Sequence, residues 1–332
     1  MATATGVEDA PRQLHADSGL PDRLFRGTLR GGGAAVLVVM LLVGGFLTYQ
    51  ALQALKVAKF DFLTTEAWEP SSGNFGIAAV LTGTVLIATV AVVIAVPLAT
   101  GTALYISEYA PARFKRTLIS VVDLMAAVPS VVYGLWGMFF LEAYAVDVAR
   151  WLSTYLGWFP PFKVVGADPR DPLAAGSIYT SSTFIAGIVV AMMVAPIICS
   201  IMREVFSQAP VGEREGALAL GATRWGMIQS VVLPFGKGGM IGGTMLGLGR
   251  ALGETIAVFL VISPSFVIQP HILQAGTNSV SALIALRYGE ANPFDMSALM
   301  AAGLALFLMT LVVNFIASTI VARSRSGEAS DA

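Results

Sequence analysis

Glu215-Gly216-Ala217-Leu218-Ala219-Leu220-Gly221-Ala222-Thr223-Arg224-Trp225-Gly226-Met227-Ile228-Gln229-Ser230-Val231-Val232-Leu233-Pro234 is a part-polar stretch set between two long apolar runs. Its first half places strong helix formers behind acidic residues, which suits the positive end of a helix dipole. Gly221 is placed to end or bend that helix. Pro234 marks the entry to the next apolar run. The pattern predicts a short helix over about 211–226, followed by a turn. This helix is too polar to cross a bilayer and connects two segments that are not.

The rest of the chain is apolar enough to supply those segments. Its 332 residues are 56% hydrophobic and 12% charged, with a mean hydropathy of +0.75. Soluble domains carry about 25% charged residues, so an ordinary soluble enzyme is excluded, as are a disordered chain and a disulfide scaffold. Net charge is -1, which predicts no nucleic-acid partner. The single cysteine, Cys199, implies neither a disulfide framework nor a metal cluster. A membrane helix needs about 20 mostly apolar residues. Uncharged runs of 25, 38, 31 and 27 residues follow Arg30, Glu69, Asp171 and Asp295. With the runs around 124–141 and 237–262, the sequence predicts six spans, near 32–55, 77–106, 117–141, 183–206, 237–262 and 297–322. The first apolar run is long for a signal-peptide core and reads as a retained span.

Lysine and arginine set the orientation. An even span count puts both termini on one side. That side carries 13 basic residues against 6 on the other, with Arg250 inside a span and uncounted. The expectation is a plasma-membrane protein with cytoplasmic tails at 1–30 and 323–332 around a six-helix domain, 31–322. The 107–116 and 207–236 loops face the cytoplasm, and the 56–76, 142–182 and 263–296 loops face outward. An interfacial helix is expected at the start of the 142–182 loop, with Val148, Leu152, Tyr155 and Phe159 on one face.

Span five carries two charges, in Gly249-Arg250-Ala251-Leu252-Gly253-Glu254-Thr255-Ile256-Ala257-Val258. Arg250 falls about 20 Å along a helix starting near Lys237, close to mid-bilayer. A central arginine costs about 2.5–3.5 kcal/mol on insertion scales, so it needs a partner or water. Glu254, four residues on, would share its face and could neutralise it. Two readings stand here: an ion pair that fixes helix packing, or a substrate-path arginine whose guanidinium fork suits a tetrahedral oxyanion. Small residues four apart, as in Gly239/Gly243 and Gly243/Gly247, predict close packing of this helix. Pro97, Pro129 and Pro196 fall inside predicted spans two, three and four and can kink them.

The opening stretch resembles the EAA motif of bacterial ABC-importer permeases. Glu215, Ala217, Gly221, Leu233 and Pro234 match at the expected spacing, with Gly216 and Val231 as departures. Residues 249–258 resemble the signature of phosphate-importer permeases of the PstC type, as do Asp123–Gly134 and the Met193–Phe206 region. The resemblance covers roughly residues 30–322. It implies an all-α integral membrane protein, a six-helix type I importer permease of MetI-like architecture. It further implies that Glu215, Gly216, Ala217, Gly221, Leu233 and Pro234 belong to a coupling element docking on an ATPase, with Arg214 and Glu215 making polar contacts. Arg250 and Glu254 are the positions it links to phosphate passage. The implied partners are a second, PstA-type permease, PstB-type ATPase subunits, an external PstS-type phosphate-binding protein and membrane lipid.

The chain has no G-x-x-x-x-G-K-[ST] phosphate loop. It is therefore expected to be a transport subunit without a cofactor or catalytic site of its own, ATP being used by the partner. The alternatives are a permease for another oxyanion, such as molybdate or sulfate, and an ion-coupled secondary transporter, which usually carries internal repeats. A membrane enzyme is disfavoured, because no nucleophile–base constellation occurs.

Overall fold

The computed structural model describes residues 20–166, 168–171 and 175–325. The outer parts of both sequence-predicted tails, 1–19 and 326–332, lie outside the described residues. Contacts divide the chain into Met1–Phe46 and Leu47–Ala332. The described part of the first unit is the beginning of helix α1 (Leu20–Ala58), which starts within the segment read as a polar tail. Its apolar side chains, Leu37 and Leu41 among them, are exposed, as expected for a helix whose solvent is lipid.

In the second unit α1 is followed by one helical turn, α2 (Asp61–Thr64), and a hairpin of β1 (Trp68–Glu69) and β2 (Asn74–Phe75). Then come α3 (Ala78–Leu104), α4 (Ala112–Ala127), α5 (Ser130–Trp136), α6 (Glu142–Leu156) and α7 (Thr183–Ser207). The chain continues through α8 (Val211–Ala219), α9 (Arg224–Met227), α10 (Leu233–Gly253), α11 (Ile256–Val261), α12 (Val280–Arg287) and α13 (Pro293–Arg325). Among the described residues six helices are long and apolar enough to cross a membrane: Asp22–Ala58, Ala78–Tyr109, Ser130–Leu156, Thr183–Ser207, Arg224–Gly253 and Pro293–Ile320.

Two spans differ from the sequence reading. The third runs over 130–156 rather than 117–141. Pro129 disfavours the helical region for the residue before it, so Val128 is extended (ψ 130°) and α4 stops at Ala127. Pro129 therefore precedes a helix instead of kinking one, whereas Pro97 and Pro196 lie inside α3 and α7. The expected interfacial helix is the continuation of this span: a π turn, Gly137–Leu141, joins α5 to α6 without a break. The face that α6 buries is small, Ala145, Ala149 and Ser153, while Val148 and Tyr155 stay exposed. The fifth span begins earlier, at Arg224, and ends earlier, at Gly253. A second π turn, Ile228–Val232, carries α9 into α10, with the Leu233 N–H reaching back to the Ile228 carbonyl. Pro234 has no N–H to give and its ring crowds the preceding turn; the wider turn relieves both.

The main core lies where α7 meets α3 and α10. Ala88, Ala91, Ala95, Ala99 and Ala103 make a small-residue stripe on α3, fully or nearly fully buried. Small residues let helix backbones approach, and dispersion then accumulates over many contacts. A Cβ on Gly187 of α7 would sit 2.4 Å from a Val90 methyl. On α10, Gly239, Gly243 and Gly247 face α7 in the same way, with Val205, Ile201 and Ile198 over them. The predicted close packing of this helix is met on that face. Gly242 and Gly253 instead look onto open space.

Candidate functional site

Two regions carry the polar chemistry, one at the end of α10 and one around α8. Helix α10 ends at Gly253. Glu254 is extended (φ -68°, ψ 127°), and α11 starts two residues later. Arg250 and Glu254 are thus not one turn apart on a continuous helix, and the expected ion pair is not formed: among the described residues no ion pair engages either of them. Arg250 is exposed in the last turn of α10, where a cation complements the helix dipole. Glu254 is 9% exposed. Its Oε1 accepts from the Ala257 N–H at 3.3 Å, and its backbone carbonyl accepts from Ser281 Oγ at 2.7 Å. The carboxylate therefore serves the unpaired donors at the start of α11. The guanidinium is left free to meet an anion.

Sequence reasoning missed the other wall of this break. In the 263–296 segment, expected as an outward-facing loop, Thr277, Asn278, Ser279 and Ser281 are buried. Ser279 caps α12, its Oγ accepting from the Ala282 N–H at 3.2 Å. Thr84 Oγ1 of α3 accepts from the Val280 N–H at 3.0 Å. The approach is tight enough that a Cβ on Gly83 would fall 2.0 Å from the Asn278 carbonyl oxygen. A serine cap before an apolar run is a readable helix start, and Ser279-Val280-Ser281-Ala282-Leu283 carries that signal. Asp123 accepts from Ser200 Oγ at 3.1 Å and ties α4 to α7.

The short helix expected over about 211–226 ends at Ala219, because the chain bends at Gly221 in a Schellman motif. The Ala222 N–H reaches the Ala217 carbonyl at 3.1 Å and the Gly221 N–H reaches Leu218 at 3.0 Å. Gly221 has φ +87°, a conformation that glycine adopts without a Cβ penalty. Thr223 Oγ1 then accepts from the Gly226 N–H at 3.1 Å and starts α9. Glu213, Glu215, Gly216 and Leu218 are exposed, and Leu220 is 91% exposed. Arg214 and Ala217 are half-buried and make contacts within the chain. Ala217 packs against the main core. Arg214 grips its own chain: NH2 lies 3.3 Å from Glu108 Oε1, NH1 donates to Glu108 Oε2 at 3.5 Å, and the Phe206 carbonyl accepts from NH2. Glu108 is held by a π turn, Tyr105–Tyr109, at the end of α3, and Arg224 lies 5.5 Å over the Tyr109 ring. The short helix is therefore tied to the ends of α3 and α7. Leu233 and Pro234 open α10.

The sequence pattern of the family described as "Binding-protein-dependent transport system inner membrane component" matches residues 91–326. The chain belongs to this family. Among curated relatives, "Phosphate transport system permease protein PstC 2" of Mycobacterium bovis is 37% identical over 92% of this chain and 93% of its own length. "Phosphate transport system permease protein PstC" of Mycobacterium leprae is 39% identical over 90% and 92%. Within the inner membrane component family the chain sits with these PstC-type permeases. A crystal structure of a bacterial alginate ABC transporter, in complex with an alginate pentasaccharide-bound periplasmic protein, has a chain alike in fold. Its TM-score is 0.58 at 16% identity, over 91% of this chain and 96% of that one. This inner membrane component is thus an all-α, multi-pass membrane protein of the type I importer permease class.

Proposed function

We propose that the chain is the permease subunit of an ATP-driven importer of inorganic phosphate. The observation that carries this reading is the similarity to PstC permeases along nine-tenths of the chain. The site agrees with it. Arg250 is an exposed guanidinium with no ion pair among the described residues, beside a break in the fifth span. A guanidinium fork matches two oxygens of a tetrahedral oxyanion. Glu254 sits in the break and balances that charge between passages.

In this reading a PstA-type permease completes the pore, PstB-type ATPases sit on the cytoplasmic side, and a PstS-type protein delivers phosphate from outside. The exposed Glu213, Glu215, Leu218 and Leu220 edge of α8 meets the ATPase. ATP binding moves α8, and the ties to α3 and α7 carry that motion into the spans and open the pore outward; hydrolysis resets it. Both termini are cytoplasmic.

The test is uptake of radiolabelled phosphate by cells carrying Arg250→Ala at normal membrane abundance. Uptake is expected to collapse, while Lys237→Ala, on the same helix, retains it. Normal uptake by Arg250→Ala would take Arg250 out of the path. Uptake that persists without any ATPase partner would favour an ion-coupled transporter.

A further inference from the structure

The outer-loop end of α1 carries polar groups that the transport reading does not use. Tyr49, Gln50, Gln53 and Lys56 line a groove of about 390 Å³ whose other wall is the start of α13, with Pro293, Met296, Ser297 and Met300. The two helices are fastened at its floor. Ser297 Oγ donates to the Gln50 carbonyl at 2.6 Å and accepts from the Ala54 N–H at 3.1 Å. Ala51 and Ala54 pack with Ala298 and Ala301 behind it. Among the described residues, no hydrogen bond or ion pair engages the carboxamides of Gln50 and Gln53 or the Lys56 ammonium. These groups belong to a helix long and apolar enough to span the bilayer, where polar side chains without partners are costly.

The groove is graded along its length. Lys56 stands in the last turn of α1, and Tyr49 lies about 10 Å deeper. Lys56 therefore falls at headgroup level, and Gln53, about 5 Å deeper, at the level of the ester groups. Leu52, Met296 and Met300 add an apolar surface to the same lining. An ammonium, amide donors and apolar side chains in one groove are complementary to the phosphate, ester groups and acyl chains of a phospholipid.

We propose that this groove binds an anionic phospholipid of the leaflet at the Ala58 end of α1. Lys56 pairs with the phosphodiester, the Gln53 and Gln50 amides donate to the phosphate or ester oxygens, and the acyl chains run down past Met296 and Met300. The lipid wedges the seam that Ser297 holds closed. A free phosphate ion offers the same charge to Lys56 but leaves the apolar wall uncovered.

Native mass spectrometry of the full-length chain in mild detergent, with added phosphatidylglycerol, phosphatidylcholine or inorganic phosphate, tests this. Wild type is expected to retain phosphatidylglycerol over phosphatidylcholine. Lys56→Gln lowers that retention about fivefold, the factor that about 1 kcal/mol corresponds to. Lys56→Arg keeps it, as does Lys59→Gln, whose site lies outside the groove lining. Unchanged retention in Lys56→Gln would overturn the proposal, and so would displacement of the lipid by millimolar inorganic phosphate. A photo-crosslinker at Gln53 in intact membranes should capture phospholipid; capture of a polypeptide alone would overturn it too. None of these readouts depends on phosphate uptake, so the result stands whether or not the transport reading does.

Discussion

At the scale of single residues, two nearby glycines in and just after α8 have opposite physical meanings. Gly216 lies within α8 and a Cβ there would meet nothing within 4 Å. Gly221 has φ +87°. Gly216→Ala is expected to stabilise the helix by about 0.5–1 kcal/mol, and Gly221→Ala to cost about 1–2 kcal/mol. Amide hydrogen exchange along α8 separates them: slower in the first variant, faster in the second. Equal exchange in both would deny the left-handed turn its role. The motif's spacing made Gly221 legible as a helix end before any coordinates. The inward turn of Arg214 was not legible, because its partner Glu108 lies 106 residues away and no local pattern connects them.

At the scale of elements, hydropathy located six spans, because each needs a long uncharged run that few other structures would carry. What it misplaced were junctions. Proline at 129 and the extended Glu254 break helices that hydropathy reads as continuous, since apolar content is blind to backbone geometry. The polar stretch at Thr277–Ser281 was hidden for the opposite reason: its side chains are buried although their composition says loop. The tie between α8 and α3 is an element-scale feature with a measurable weight. The Glu108 side chain is 5% exposed and that of Arg214 is 20% exposed, so removing one charge strands the other. Glu108→Gln is expected to destabilise the protein by about 3 kcal/mol, read as a lowered unfolding midpoint in detergent. Adding Arg214→Gln should restore part of that loss, with a coupling on the order of 1 kcal/mol. Strict additivity of the two single effects would mean that the pair does not hold α8.

At the scale of the whole molecule, an even number of spans and the 13-to-6 excess of basic residues read from the sequence predict one orientation. A reporter domain fused after Asp331 is expected to be active only when the reporter works in the cytoplasm. Activity of an exported-only reporter there would overturn the span count or the orientation. The fold of this body of helices is shared with a chain of the alginate transporter. The placement of Arg250 beside a broken helix and of the buried Glu254 depends on a few backbone angles within it.

Cys199 lies on α7, 2% exposed in the main core, and it is the chain's single cysteine. Water-borne thiol reagents are thereby denied their target, so the wild-type molecule is already a silent background for probes. A spin label at Leu220, exposed just past the end of α8, and another on the far side would report their separation through a transport cycle, with the native thiol left in place.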